Sequence, residues 1–363
     1  MFKNIENYKL DIDNSFKENY KLYNNSLNKK VGNISFRVLP PSDVSFYQEL
    51  NLCNYNFDID NDIKKYTNDL INLLDKSYSE RSEIDDNMIP AVFPILGIGD
   101  YSAFVAGNII FQPETSWGEH VLKNIDDWKN LPPLGTSPWY KKFLNISEEL
   151  IKKSYKQGIP YMRGFFSPLD LAHALRGEDI YYDFYDEPIK LHELLNFCAD
   201  ATIKFAEDIY ALVEKYYKNT KYGMWYTKNQ INMSEDIACM ISGDTYREFC
   251  RPHTQRVINH FGTGYMHCHS RAMYLVKEIC DLDNVVHLWL ATDPNQTRPI
   301  DNIEQLVKDS NSVVVAIDCE RFEEIEENYE KMKNGNFSIC LPVSSVEEGI
   351  EMVNRFNKLV SSK

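Results

Sequence analysis

Met266-His267-Cys268-His269-Ser270 carries the residue types best suited to chemistry, at the end of a short apolar run. Successive side chains on a strand point to opposite sides, so His267 and His269 share a face while Cys268 takes the other. Two imidazoles converging at a strand end can hold a zinc ion once a third ligand arrives from elsewhere. Cys340 ends another apolar run, Phe337-Ser338-Ile339-Cys340, and is the first candidate for that ligand. Cys319, which follows Asp318 at the end of a third run, is the second. A His-x-His pair also serves ordinary hydrogen bonding, and spacing alone leaves both uses open.

The elements that must position these residues form a regular series. Short apolar or aromatic runs occur at 159–162, 222–226, 264–267, 285–290, 313–317 and 337–340. Helical stretches follow at 168–176 and 189–217, then at 237–260, 271–280, 300–309, 320–333 and 345–358. Ser167-Pro168 reads as an N-cap with proline in the first turn, and Ser344-Ser345 ahead of Glu347-Glu348 reads as a capped start. This alternation suits consecutive βα units. Six units after residue 158, with Val92–Leu96 and one earlier strand, make eight and predict a (β/α)8 TIM barrel. Residues 1–87 read as an N-terminal arm and helical extension, and residues 88–363 as the barrel. The extension contains an amphipathic helix over 62–77 with Ile63, Tyr66, Leu70, Leu73 and Leu74 on one face.

In such barrels the site lies at the C-terminal ends of the strands. His267, His269, Asp318, Cys319 and Cys340 all fall there. Gly97-Ile98-Gly99-Asp100 is a turn that invites close approach of a ligand, but it lacks the third glycine of a dinucleotide fingerprint.

Composition narrows the partners. The 363 residues are 43% hydrophobic, enough for a sizeable core, and carry a net charge of −15. No basic stripe exists to neutralise nucleic-acid phosphates or to meet an anionic membrane surface. The start, Met1-Phe2-Lys3-Asn4, has no apolar signal core, and no stretch is long enough to span a bilayer, so a cytoplasmic location is expected. Eight scattered cysteines without a Cys-x-x-Cys then read as reduced, mostly buried thiols.

Several segments resemble the uroporphyrinogen decarboxylase superfamily. They are Gly164-Phe165-Phe166-Ser167-Pro168-Leu169-Asp170-Leu171-Ala172, Glu235-Asp236-Ile237-Ala238-Cys239-Met240-Ile241-Ser242-Gly243, Tyr265-Met266-His267, and Cys340-Leu341-Pro342-Val343 with Val346-Glu347-Glu348-Gly349. The resemblance spans residues from about 88 to the end, in the family's order, and implies a (β/α)8 fold. True decarboxylases carry an N-terminal arginine pair within a Met-Arg-Gln-Ala-Gly-Arg pattern that binds substrate carboxylates. Here the N-terminal third holds only Arg37 and Arg81, far apart. The zinc-dependent methyltransferase branch instead places a His-x-Cys pair on one strand and a late Cys around the metal. His267 and Cys340 match those positions, and His269 stands where the family has Cys.

The reading that results is a methyltransferase in which zinc on His267, His269 and Cys340 binds a thiol or similar small acceptor. A corrinoid carried by a partner protein exchanges the methyl group, since this chain lacks a corrinoid-binding His with its Gly-rich stretch. A homodimer is a candidate assembly. Asp236 and His267 are the candidate catalytic groups, and Arg163, Tyr226, Asn229 and Asp318 the candidate substrate contacts. Each has an ordinary alternative: Asp236 as a helix N-terminal carboxylate, Tyr226 as core, Arg163 in a surface salt bridge. Two other functions fit the same residues. One is a metal-free carboxy-lyase on a small acidic substrate, using Asp236, His267 and Arg163, and the other is a non-catalytic binding subunit that keeps the pocket.

Overall fold

The computed structural model describes residues 1–3, 12–58, 60–218 and 229–361. Its strands are β1 (Asn33–Leu39), β2 (Ile109–Phe111), β3 (Ser116–Gly118), β4 (Phe165–Phe166), β5 (Gln230–Ser234), β6 (Thr263–His269), β7 (Val285–Ala291), β8 (Val314–Asp318) and β9 (Asn336–Pro342). They are distributed over two compact units. One comprises residues 1–46, 72–90 and 264–363, and the other residues 47–71 and 91–263.

The first unit is a parallel five-stranded sheet in the order β1-β9-β8-β7-β6. Strand alternation sorts most of its residues. Phe36, Val38, Phe337, Ile339, Leu341, Val315, Ile317, Val286, Leu288, Leu290, Met266 and Cys268 fall on one face, and all are buried. Helices Phe322–Met332 and Val346–Ser361 cover that face. Phe36 stacks on Phe356 at 4.8 Å between ring centroids and meets Phe322 edge-on at 5.9 Å. Gly349 lets the last helix come close, since a Cβ there would sit 2.9 Å from Ile84 Cδ1 and 3.2 Å from Val38 Cγ2. Each fully buried aromatic or aliphatic side chain contributes roughly 1.5–3 kcal/mol.

Each of the two units draws on residues from both sides of residue 88. β1, inside the supposed arm, pairs in parallel with β9 over seven register positions from Asn33↔Asn336 to Leu39↔Pro342. Its sequence, Asn-Ile-Ser-Phe-Arg-Val-Leu, alternates as a half-buried strand does, and the surrounding Asn and Lys residues conceal that pattern. On its other edge the Phe36 N–H donates to Asn87 Oδ1 (3.1 Å) and the Val38 N–H to Asp86 Oδ2 (2.9 Å). Asp86 also bonds Arg81, which pairs with Asp43 as well, and Arg81 is only 1% exposed.

The second unit contains the parallel pair β4-β5, with Phe165↔Met233 and Phe166↔Ser234 in register. A parallel bridge joins Val92 to Tyr161, and β2 and β3 form an antiparallel hairpin. The expected strand over 159–162 is thus reduced to one bridge. The expected strand over 222–226 lies outside the described residues, and the strand of this region is β5, at 230–234. The helix expected over 237–260 is broken into a 3-10 turn (Ile237–Met240), a short helical turn, a π turn (Tyr246–Cys250) and helix Arg251–Phe261. Pro252 explains the last break, because it lacks the N–H for a continuous ladder and crowds the carbonyl four residues back.

The 30-residue helix Pro188–Tyr217 brings Phe205 against Phe104 (4.6 Å, stacked) in the core of this unit. The Gly97–Gly99 turn is packed by the chain itself: a Cβ at Gly97 would lie 2.1 Å from the Ser116 backbone nitrogen, and Ser116 Oγ accepts from the Gly99 N–H at 2.9 Å. The close approach those glycines permit is made by β3, not by a ligand. Seven parallel strands and the Val92–Tyr161 bridge are present among the described residues, against the eight expected. No helix among them is long and apolar enough to cross a membrane.

Arg81 supplies a stability test. Arg81→Ala leaves Asp43 and Asp86 buried without their cation, which should cost about 3–5 kcal/mol. Urea denaturation should show the midpoint fall with little change in slope.

Candidate functional site

The second face of the five-stranded sheet carries its charged and imidazole side chains, and its register arranges the residues in rows. One row runs His267↔Trp289↔Ala316↔Ser338↔Ser35 across β6, β7, β8, β9 and β1. Two residues further toward the C-terminal ends, Asp318↔Cys340↔Arg37 are paired, as are His269↔Ala291. Two residues the other way lie Tyr265↔His287↔Val314↔Asn336↔Asn33.

His267 and His269 share the face, as alternation requires. Their ring centroids are 5.0 Å apart, and their ligating atoms lie within 4.8 Å of one another. His269 Nδ1 donates to Asp293 Oδ1 at 2.8 Å, which leaves the imidazole lone pair on Nε2. Asp293 is itself fixed: its Oδ2 accepts from the Arg271 N–H (3.0 Å), and its own N–H donates to Ser270 Oγ (2.9 Å). Burial acts to raise the Asp293 carboxyl pKa, but those bonds outweigh it and hold the group below its usual range. A carboxylate behind a histidine in this manner fixes tautomer and ring orientation, the arrangement found behind metal-bound histidines. His267 Nδ1 lies 3.3 Å from the Trp289 carbonyl oxygen, and its ring packs against the Trp289 ring at 4.3 Å.

Cys340 is not beside this pair. It is three strands along in the order β6-β7-β8-β9, on the order of 14 Å measured across the sheet. Its sulfur takes a hydrogen bond from Arg37, and burial raises its thiol pKa although the guanidinium opposes this. No group of three possible metal ligands among the described residues includes Cys340 or Cys319. Cys319 points to the opposite side from Asp318, with its S–H toward the Cys340 carbonyl oxygen at 3.5 Å. Asp318 and Arg37 lie on either side of Cys340, and burial raises the Asp318 pKa while Arg37 lowers it.

The other sequence candidates belong to the second unit. Asp236 follows β5 and accepts from Tyr101 Oη at 3.1 Å, while its backbone N–H donates to Asp170 Oδ2 at 3.0 Å. Asp170 also accepts from Ser234 Oγ (2.5 Å) and the Ile237 N–H (3.0 Å). Beside them Glu235 is fully buried, accepting from Thr254 Oγ1 (2.7 Å) and Tyr246 Oη (3.1 Å), and burial pushes its pKa up to about 7. Arg163 is 3% exposed, pairs with Asp100 at 2.8 Å and lies over the Phe205 ring at 5.0 Å. It is a buried structural cation, neither a surface bridge nor an open anion anchor. Asn229 precedes β5, because the strand starts at 230, and its carbonyl accepts from Thr263. It therefore sits at the strand's N-terminal end, opposite the end that carries Asp236. Tyr226 lies outside the described residues.

Arg37, Trp289 and Asp293 are not among the site residues that the sequence suggests. The alternation of β1 and β7 would have placed the first two on the second face. Asp293 follows a strand by two residues and left no spacing signal.

No family model matches the chain, and no curated protein matches it in sequence. Among solved structures, a methyltransferase from Methanosarcina mazei is similar in fold, with a TM-score of 0.52 at 12% sequence identity, over 93% of this chain and 97% of that one. The likeness at that identity concerns the fold.

His287 gives a pH test of this face. It is stacked on Tyr265 at 4.1 Å, its Nδ1 has no hydrogen-bond partner, and burial with the Arg37 charge pushes its pKa down to about 3. The folded state therefore binds fewer protons than the unfolded chain, whose histidine titrates near 6.5. This contribution to stability is complete above about pH 6.5 and is lost as pH falls toward 3. His287→Phe should flatten the pH dependence of the melting temperature between pH 6.5 and 4 relative to the wild type.

Proposed function

We propose that this chain is a methyltransferase of the (β/α)8 class. In this reading a zinc ion on His267 and His269 binds a thiol or similar small acceptor, and a partner protein brings the methyl group on a corrinoid. The observation that carries the reading is the His267–His269 pair with Asp293 behind His269, on the second face of a parallel sheet at its C-terminal ends. The fold likeness to a methyltransferase supports the same class of reaction.

The donor set fits a metal in part. Two imidazoles on one strand, one with its tautomer fixed by a carboxylate, are suited to zinc, and a catalytic zinc takes three protein ligands with one position open. Bound there, zinc would lower the pKa of a thiol and make it a nucleophile at neutral pH. The residues of this chain do the rest. Asp293 keeps the His269 lone pair on Nε2, and Trp289 covers one side of the His267 ring. The metal-free lyase reading loses its anion anchor, because Arg163 is committed to Asp100.

Zinc analysis of protein purified without chelator tests the proposal. His267→Ala and His269→Ala should each lower zinc stoichiometry at pH 7 to near zero. Asp293→Asn should weaken affinity by about 10- to 100-fold, as loss of such a carboxylate partner does elsewhere. Cys340→Ser should keep its zinc. The absorbance change of an added methyl-corrinoid in the presence of a thiol then measures transfer. Wild-type protein that binds no zinc and demethylates no corrinoid would end this reading.

A further inference from the structure

Helix Ile180–Asp186, in the second unit, is packed on one side only. Ile180, Asp183 and Phe184 are buried, with Phe184 edge-on to Phe249 at 5.1 Å and Asp183 accepting from Arg176 Nε at 2.8 Å. A helix packed in this way ordinarily turns charged and polar side chains to the water. This one turns out Tyr182 and Tyr185, 69% and 81% exposed, and helix Pro188–Tyr217 adds Ile189 in its first turn at 77%. These are the three most exposed large apolar side chains among the described residues, and they lie within eight positions of one another.

The patch is set among acids. Glu178 and Asp179 precede it, and Asp186 and Glu187 stand inside it. The neighbouring cations are each shared between two carboxylates: Arg176 between Asp179 and Asp183, and Lys190 between Asp126 and Glu187. Asp186 has no salt bridge among the described residues, and Glu178, with its side chain 80% exposed, meets only His173. The face is therefore apolar at its centre and negative at its rim. It repels a nucleic acid or an anionic membrane, and also a second copy of a chain whose net charge is −15.

We infer that this face docks a partner protein through a surface rich in lysine and arginine. The two phenol rings offer π faces to the cations, Ile189 covers their aliphatic stems, and the acids pair with them at the rim. Exposed tyrosine is also among the residue types that concentrate binding energy at the centre of an interface. The inference does not rest on the zinc or methyl-transfer reading.

Fluorescence anisotropy of a labelled lysine decapeptide, titrated with the full chain at low salt, tests it. The lysine peptide should bind and a glutamate decapeptide should not, and affinity should fall as salt rises. Tyr182→Ser with Tyr185→Ser changes no charge and should weaken binding about tenfold, the value of two cation–π contacts. Glu178→Gln with Asp186→Asn should weaken it by a similar factor. Glu327→Gln with Glu351→Gln removes the same charge from exposed positions elsewhere and should leave affinity within about twofold. Melting curves accompany each variant, and Tyr182→Gln with Tyr185→Gln repeats the test if the serine pair lowers the melting temperature.

Binding that ignores the tyrosine substitutions, or that responds equally to the distant glutamates, reduces the effect to attraction by net charge and overturns the proposal. Sedimentation of the chain alone should show the same assembly state for wild type and the tyrosine variant. A dimer that the tyrosine substitutions dissociate would assign the face to a second copy and overturn the proposal as well.

Discussion

Everything described for the larger sheet depends on one constraint, the twofold alternation of side chains along a parallel strand held in register by its neighbours. A slip of one residue in any strand would carry its apolar set onto the second face and its charges beneath the helices. Phe36 and Arg37 are adjacent in sequence, yet one is clamped between Phe322 and Phe356 and the other stands beside Cys340 on the opposite face. The helices therefore do more than bury area. By anchoring Phe36, Val38, Leu288 and their neighbours, they fix which residues are left to face the other way.

The same constraint explains what could be read from sequence. His267 and His269 were assigned to one face from alternation alone, and they lie there. The strands at 264–267, 285–290, 313–317 and 337–340 were legible because short runs of apolar and aromatic residues announce buried parallel strands. β1 escaped notice because half of its residues are polar and face the site, so it resembled the Asn- and Lys-rich stretch around it. Functional strands are harder to recognise for the reason that makes them functional.

Cys340 illustrates the opposite difficulty. Sequence places it at a strand end, as it places His267, but position along a strand says nothing of position across the sheet. Strand order decides that, and it sets three spacings between them. Asn229 moved for a related reason: the strand of its region begins at residue 230, so a residue expected after a strand comes before one. Arg163 could not have been settled from sequence, because its partner Asp100 is 63 residues away on a glycine turn.

The side chains of Asp86 and Asn87 on the outer edge of β1 have a consequence for solubility. A parallel strand at a sheet margin offers a ladder of amide groups that a strand from another molecule can copy. Here the Phe36 and Val38 donors are already spent on side chains, and the Phe36 carbonyl accepts from the Asn87 N–H at 3.2 Å. The chain answers its own margin with two side chains in place of a further strand. Asp86 serves Arg81 at the same time, so the charge that steadies the interior also denies neighbouring molecules a template for stacking.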